Sequence, residues 1–513
     1  MPETSSNTTR IAKNTLLLYF RMLLTMGVSL YTSRVILDVL GVEDYGIYNV
    51  VGGVVAMFGI LSGSLSSAIS RFITFELGKG NLDKLKRIFC TSVNIQIILI
   101  AIITILMETI GIWFLNNKMV IPEERLAAAN WVFQFSVITF ALNLLSVPCN
   151  AVIIAHEKMS AFAYISIIDC TLKLIVAFII AYNTFDKLVY YGLLIMIVGA
   201  INRSIYAIYC KRHFEEATYR MIFDKGLMKE MFGFAGWSMF GTSSAVLRDQ
   251  GGNLLMNLFF GPAVNASRGV AMQVNNAVIS FVNNFTTAVN PQITKSYAAG
   301  DINYMSKLAF QSTKFSFYIL WVISLPVLVT TPYLLNLWLV EVPVHSVNFI
   351  RLIILLSISE TLQNSLITIL LATGKIRTYQ LVLGSCQLLN FPISWLCLHI
   401  GMSAESVFAV AIVVSVGCEI IRVFMAQKIA GISAKSFFID VYFRVLIVGI
   451  VSAIIPLGMM YFVPKESFMT FVVLVVTSII SAISTIYCVG CTQNDRVFIS
   501  TQIRKVKQKF IHA

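Results

Sequence analysis

Charged side chains are scarce in this chain. Asp, Glu, Lys and Arg make up 12% of its 513 residues, where a soluble chain carries about a quarter. With 57% hydrophobic residues and a mean hydropathy of +0.81, the deficit excludes an ordinary soluble domain and points to a polytopic membrane protein. Cysteine supplies no disulfide framework: the nine are odd in number and dispersed, mostly in or beside apolar runs. The C-x-x-C at Cys488 and Cys491 has no second pair and no His cluster beside it, so small packing residues are expected there rather than a metal or redox site. A large soluble domain, a metal-ligand cluster, a nucleophile constellation and a long external loop are missing too. Those gaps argue against a membrane glycosyltransferase or polymerase, and no enzymatic activity is expected. The net charge of +13 comes with no nucleic-acid motif, and no nucleic-acid partner is expected. Nor is a cleavable signal peptide: the apolar run after Arg10 and Lys13 is too long for a signal core.

What is present is a series of apolar runs long enough to span a bilayer, about fourteen at roughly 20 residues each. They centre near Leu24, Gly59, Ile102, Leu142, Lys173, Val198, Ala245, Val278, Ile319, Ser359, Leu389, Val416, Val451 and Ser478. The connecting loops alternate in charge. Lys84, Lys86 and Arg87 crowd the second, Lys211, Arg212 and Arg220 the sixth, and Lys375 and Arg377 the tenth, while Asp38, Glu43 and Asp44 mark the first. The excess of Lys and Arg in alternate loops puts both termini in the cytoplasm and requires an even number of spans. The basic tail with Arg504, Lys505, Lys507 and Lys509 reads as part of this topology signal rather than a lipid-binding patch.

An internal repeat is visible at an offset of 220 positions. Gly41 meets Gly261, Ile73-Thr74 meets Ile293-Thr294, and Gly80-Asn81-Leu82 meets Gly300-Asp301-Ile302. The expected organisation is an all-α polytopic fold with two six-helix lobes at 1–215 and 231–430, a basic connector at 216–230, and two further helices with the tail at 431–513. Because the offset covers an even number of helices, the lobes are expected to have parallel topology, related by a pseudo-two-fold axis along the membrane normal.

The N-terminal stretch "NTTRIAKNTLLLYFRMLLTMGVSLYTSRVILDVLGVEDYGIYNVVGG", with "LGVEDYGIYNVV" at Leu40 to Val51 as its first external turn, resembles the polysaccharide-exporter family, especially O-antigen and capsule-unit flippases. The resemblance covers nearly the whole chain. It implies the fold shared by multidrug and toxic-compound extrusion transporters and lipid-linked sugar flippases.

Polar seams inside the spans supply candidate site residues. In the eighth span Gln273, Asn276, Ser280, Asn283, Thr287 and Asn290 recur at steps of 3 and 4, so all six share one helix face. In lipid such a face meets protein or a wet cavity, and plain helix–helix packing is the competing reading. In the seventh span Arg248 and Asp249 lie side by side, about 100° apart around the helix. A charge at mid-bilayer costs roughly 2.5–3.5 kcal/mol, so the pair either locks the bundle or lines a cavity. Arg21 is the deeper of the first-span arginines. Asp169 with Lys173, and Glu419 with Arg422, have the spacing of structural ion pairs, whereas Glu360 has no local partner in sequence.

Taken with the resemblance, the expected function is a flippase for polyprenyl-diphosphate-linked oligosaccharides of O-antigen, capsule or exopolysaccharide in a bacterial inner (cytoplasmic) membrane. Arg21, Arg248, Asp249, Asn276, Asn283 and Asn290 would line its cavity. Asp249 or Glu360 would serve as a coupling carboxylate for an H+ or Na+ gradient, and no cofactor is expected. Membrane lipids, a polysaccharide polymerase and glycosyltransferases are the expected partners. The alternative is a cation-coupled multidrug extruder of the same fold.

Overall fold

A computed structural model describes residues 2–496, apart from 57–58, 118–120, 183–185, 261, 339–341, 463–466 and 494–495. The described residues are helical nearly throughout. In chain order the helices are α1 (Pro2–Ala56), α2 (Gly59–Lys79), α3 (Leu82–Leu106), α4 (Ile112–Asn117), α5 (Glu123–Ala155), α6 (Met159–Ala181), α7 (Lys187–His213), α8 (Lys225–Phe260), α9 (Pro262–Ala298), α10 (Ile302–Trp338), α11 (Ser346–Thr373), α12 (Ile376–Leu388), α13 (Asn390–His399), α14 (Ser406–Ala430), α15 (Ala434–Phe437), α16 (Arg444–Phe462) and α17 (Phe468–Thr485).

Ten helices or helix runs among the described residues are long and apolar enough to cross a membrane. The other four expected spans fall on α1, α2, α8 and α9. The chain is a polytopic all-α membrane protein. Its many exposed large apolar side chains, such as Leu16, Ile105 and Val413, suit a surface bathed in hydrocarbon, where they need no protein cover.

Glycine sets the turns. α1 breaks at Gly41, with φ of 78° and ψ of 168°, inside the stretch read as the first turn. Gly80 and Gly300, matched by the 220-residue offset, take φ of 72° and 81°. Each also donates its N–H to the carbonyl three residues back, Gly80 to Leu77 at 3.2 Å and Gly300 to Tyr297 at 3.0 Å. A positive φ is strained for residues with a Cβ, so glycine fits both turns. The repeat therefore extends to backbone geometry at these two turns. Gly261, the partner of Gly41, lies outside the described residues.

The helices form two compact units. One comprises 1–243 with 287–301, and the other 244–286 with 302–513. In the first, Val51 and Val55 pack on Val132, Phe133 and Leu188. The end of α9 docks there: a Cβ on Gly78 would lie 2.9 Å from the Lys295 Cα and carbonyl oxygen, so only a glycine lets the two backbones approach so closely. In the second unit Leu255, Met256 and Ala271 pack on Phe349, Ile353 and Phe408. α16 and the π-helical turn after α17, Ile486–Gly490, are fastened to α10 by the Trp321 indole, which donates to Ser452 Oγ at 2.7 Å, and by the Tyr318 hydroxyl, which donates to the Gly490 carbonyl at 3.0 Å.

Candidate functional site

The paired charges of α8 become a three-way bridge in the second unit. Arg248 Nε donates to Asp249 Oδ1 at 2.9 Å, and Nη1 reaches across to Glu360 Oε1 on α11 at 2.6 Å. The side chain is long enough to meet its sequence neighbour and still present its other edge to a second helix. Glu360, which lacks a partner in local sequence, finds one 112 positions away. The Arg248 side chain is 13% exposed, against 45% for Asp249 and 32% for Glu360, so the guanidinium is the desolvated member and the carboxylates keep part of their hydration.

A second cation joins them. Arg268, near the start of α9, donates from Nη2 to the Asp249 carbonyl oxygen at 2.9 Å, and its guanidinium lies 5.5 Å from the Phe408 ring centre. It is nearly buried and makes no ion pair with a carboxylate among the described residues. The glycines after Asp249 sit against the same wall: a Cβ on Gly251 would lie 2.7 Å from the Phe391 ring, and one on Gly252 would lie 3.3 Å from Val407 Cγ1. Arg248, Asp249, Arg268, Asn275, Ser357 and Glu360 line a common cavity of about 60 Å³. At roughly 15 Å³ each that is room for about four waters, not for a sugar. In the same lining Ser357 Oγ donates to Asn275 Oδ1 at 2.6 Å.

Along the eighth-span face Ser280, Thr287 and Asn290 are half-buried. Gln273, Asn276 and Asn283 are exposed, while Val278 and Val282 are buried. Asn276 and Asn283 belong to the second unit and Asn290 to the first. The polar face that enters the cavity is a different one, with Arg268 and Asn275 about 20° apart around the helix.

Arg21 belongs to the first unit. It donates from Nη1 to Ser166 Oγ at 3.3 Å and stacks 4.7 Å from the Phe162 ring centre. Asp169 accepts from Lys173 at 2.8 Å, the expected i,i+4 pair, and also from Asn202 at 2.5 Å. Glu419 and Arg422 do not make the ion pair expected of them: Arg422 turns toward α11 and donates to Gln363 Oε1. A further cluster forms at His156-Glu157, whose partners are distant in sequence. Glu157, at a positive φ of 58°, buries its carboxylate against Gln292 Nε2 and Lys295 Nζ, each at 2.7 Å. His156 Nε2 meets Glu216 Oε1 at 2.5 Å. Burial pushes the Glu216 carboxyl up, but the His156 hydrogen bond and its own backbone N–H outweigh this and hold it below the usual carboxylate range. Among the described residues no group of three His, Cys, Asp or Glu side chains is placed to hold a metal.

Comparison with known proteins gives this geometry a family context. The model of a family described as polysaccharide biosynthesis protein matches residues 11–297, and the MatE model matches 250–396. The uncharacterized membrane protein EpsK of Bacillus subtilis (strain 168) is 21% identical over 294 residues, 56% of this chain and 57% of that relative. The chain thus matches little more than half the length of this curated relative. Among solved structures, a MATE in the bent conformation superposes with a TM-score of 0.72 at 12% identity, covering 82% of this chain and 96% of that one. An outward-facing multidrug resistance MATE family transporter of the MOP superfamily gives 0.69 at 13% identity, covering 82% and 96%. A MOP superfamily transporter from Pyrococcus furiosus, described by a binding pocket of reverse polarity, gives the same values. These likenesses establish the fold.

Proposed function

Since the chain belongs to the polysaccharide biosynthesis protein family, within the MOP superfamily of transporters, we propose that it translocates polyprenyl-diphosphate-linked oligosaccharide units for O-antigen, capsule or exopolysaccharide. The setting we propose is a bacterial inner membrane, with both termini cytoplasmic, transport by alternating access, and glycosyltransferases and a polymerase acting before and after it. One observation carries the reading. Arg268 lines the cavity and makes no ion pair with a carboxylate among the described residues, and Arg248 lines the same cavity. A diphosphate presents several charged oxygens to such guanidinium groups, and the planar fork can take two of them at once. In the present state Arg248 is held by Asp249 and Glu360, so an entering anion must compete with Glu360 for Nη1. The cavity must also widen, since about 60 Å³ admits only water. The pocket of reverse polarity in the Pyrococcus neighbour is a precedent for this fold carrying a pocket of unlike charge. Deleting the gene should cause a lipid-linked oligosaccharide to accumulate on the cytoplasmic leaflet, and Arg268→Ala should fail to relieve the accumulation at normal membrane levels. Full relief by Arg268→Ala would refute the role given to this cation.

The second reading is a cation-coupled multidrug extruder. It is favoured by the MatE match over 250–396 and by the two carboxylates in the same cavity. On that reading Glu360→Gln should abolish export of cationic dyes while Arg268→Ala leaves it intact.

A further inference from the structure

The coupling carboxylates suggested by sequence, Asp249 and Glu360, both sit on Arg248 and are compensated there. A different acid in the same unit is not. Glu419 on α14 is 4% exposed, makes no ion pair among the described residues, and has an Oε1 with no hydrogen-bond partner. Burying a lone carboxylate charge is so unfavourable that such a group takes a proton unless a cation reaches it. Its polar and charged neighbours are the Tyr442 hydroxyl, the Arg422 guanidinium and the Ser359 hydroxyl. Tyr442 lies in a π-helical turn, Phe438–Phe443, which leads into α16, and its hydroxyl is likewise buried without a partner. Arg422 lies over Tyr379 of α12, donates to Gln363 of α11, and leaves Nε unpartnered.

We infer that Glu419 is a proton-binding site, and that it, rather than Glu360, carries the proton of the transport cycle. The proton bonds to a carboxylate oxygen, giving the neutral acid, and returns to water when it leaves. Arg422, one helical turn away, makes the charged form reachable, because Cβ atoms at i,i+3 are about 5–6 Å apart. A short relay ties the site to the cavity. Ser415 on α14 meets Ser359 Oγ at 2.9 Å and Gln363 Nε2 at 2.9 Å, and Glu360, which holds Arg248, is the residue after Ser359 on α11. A charge appearing at Glu419 therefore acts on the helix that positions Glu360. The role in the cycle rests on the transport reading above, whereas proton binding does not.

The test uses the purified full chain in nanodiscs without substrate, titrated while the infrared carbonyl band of protonated carboxyls is recorded. The expected result is a band that disappears reversibly on alkalinisation, is absent in Glu419→Gln and is retained in Glu360→Gln. Tyr442→Phe should move its midpoint by about one pH unit, since a hydroxyl beside the carboxyl interacts differently with its two protonation states; a mere packing contact would not. If Glu419→Gln does not yield monodisperse protein, Glu419→Asp replaces it and must show a band with a shifted midpoint. A titrating band unchanged in the Glu419 variants would overturn the proposal, and so would the absence of any titrating band between about pH 5 and 10. Neither result would touch the Arg268 dependence of lipid-linked sugar export, so the two readings fail separately.

Discussion

Replacing Arg248 with Ala removes the cation that bridges α8 and α11 at the cavity and leaves Asp249 and Glu360 facing the space it filled. Two carboxylates on opposite edges of one guanidinium are about 5 Å apart, which at an effective dielectric constant near 20 gives roughly 3 kcal/mol of repulsion. Breaking a fully buried pair from one side costs about 3–5 kcal/mol. Here Asp249 and Glu360 are 45% and 32% exposed, so solvent screens the residual charge and the expected loss is nearer 2 kcal/mol. Arg248→Ala should therefore lower the thermal midpoint of the detergent-solubilised protein by several degrees. Adding Glu360→Gln removes one of the uncompensated charges and should recover about half of the loss. Adding Asp249→Asn as well should bring stability close to that of the parent chain. Export is the second readout. If Arg248 binds the travelling anion, the triple neutral variant is stable and inactive. A triple variant that regains both stability and export would reduce the three-way bridge to a structural brace and refute the binding argument.

Three further outcomes follow from the geometry. Cysteines placed at Asn276 and Asn283, both exposed, should react with small polar thiol reagents, while cysteines at the buried Val278 and Val282 stay protected; uniform protection along α9 would favour plain packing. Gly78→Ala puts a Cβ 2.9 Å from the Lys295 backbone and should cost about 1–3 kcal/mol as overpacking, visible as a lower melting point and faster proteolysis after Lys295. At Glu405, burial pushes the carboxyl up, but hydrogen bonds from His345, its own backbone, Ser403 and Asn348 outweigh this and bring it from 4.5 to about 2. A depressed carboxyl stabilises the folded state fully above its unfolded value and loses that contribution as pH falls toward the folded one. The protection of amides around residues 400–408, measured against each amide's intrinsic exchange rate at the same pH, should therefore fall as pH drops from 4.5 toward about 2, and Glu405→Gln should flatten that dependence.

Much of the fold was legible because hydrocarbon imposes a simple rule on sequence: apolar runs of one length, separated by short polar turns. Gly41, Gly80 and Gly300 marked turns correctly because each supplies a backbone conformation that other residues resist. Arg248 and Asp249 stood out as charges inside an apolar run, and their partner Glu360 as a charge without one. What sequence could not supply was pairing across helices. Nothing in the local sequence singles out Arg268, because its contact with the Asp249 carbonyl joins α9 to α8 across 19 positions. Glu419 and Arg422 have the spacing of an ion pair, yet Gln363 on a neighbouring helix claims the guanidinium. Glu157 was hidden for the same reason: its partners Gln292 and Lys295 lie 135 and 138 positions away.

Translocation itself can be followed by reconstituting the purified chain in liposomes with a polyprenyl-diphosphate-linked oligosaccharide, and timing how fast the inner-leaflet glycan becomes accessible to an impermeant glycosidase outside. Exposure should be rapid with the parent chain and close to the protein-free rate with Arg268→Ala and Arg248→Ala, while a cationic dye on the same vesicles is not moved. Dye transport by the parent chain, with glycan exposure no faster than in protein-free liposomes, would contradict the proposed function.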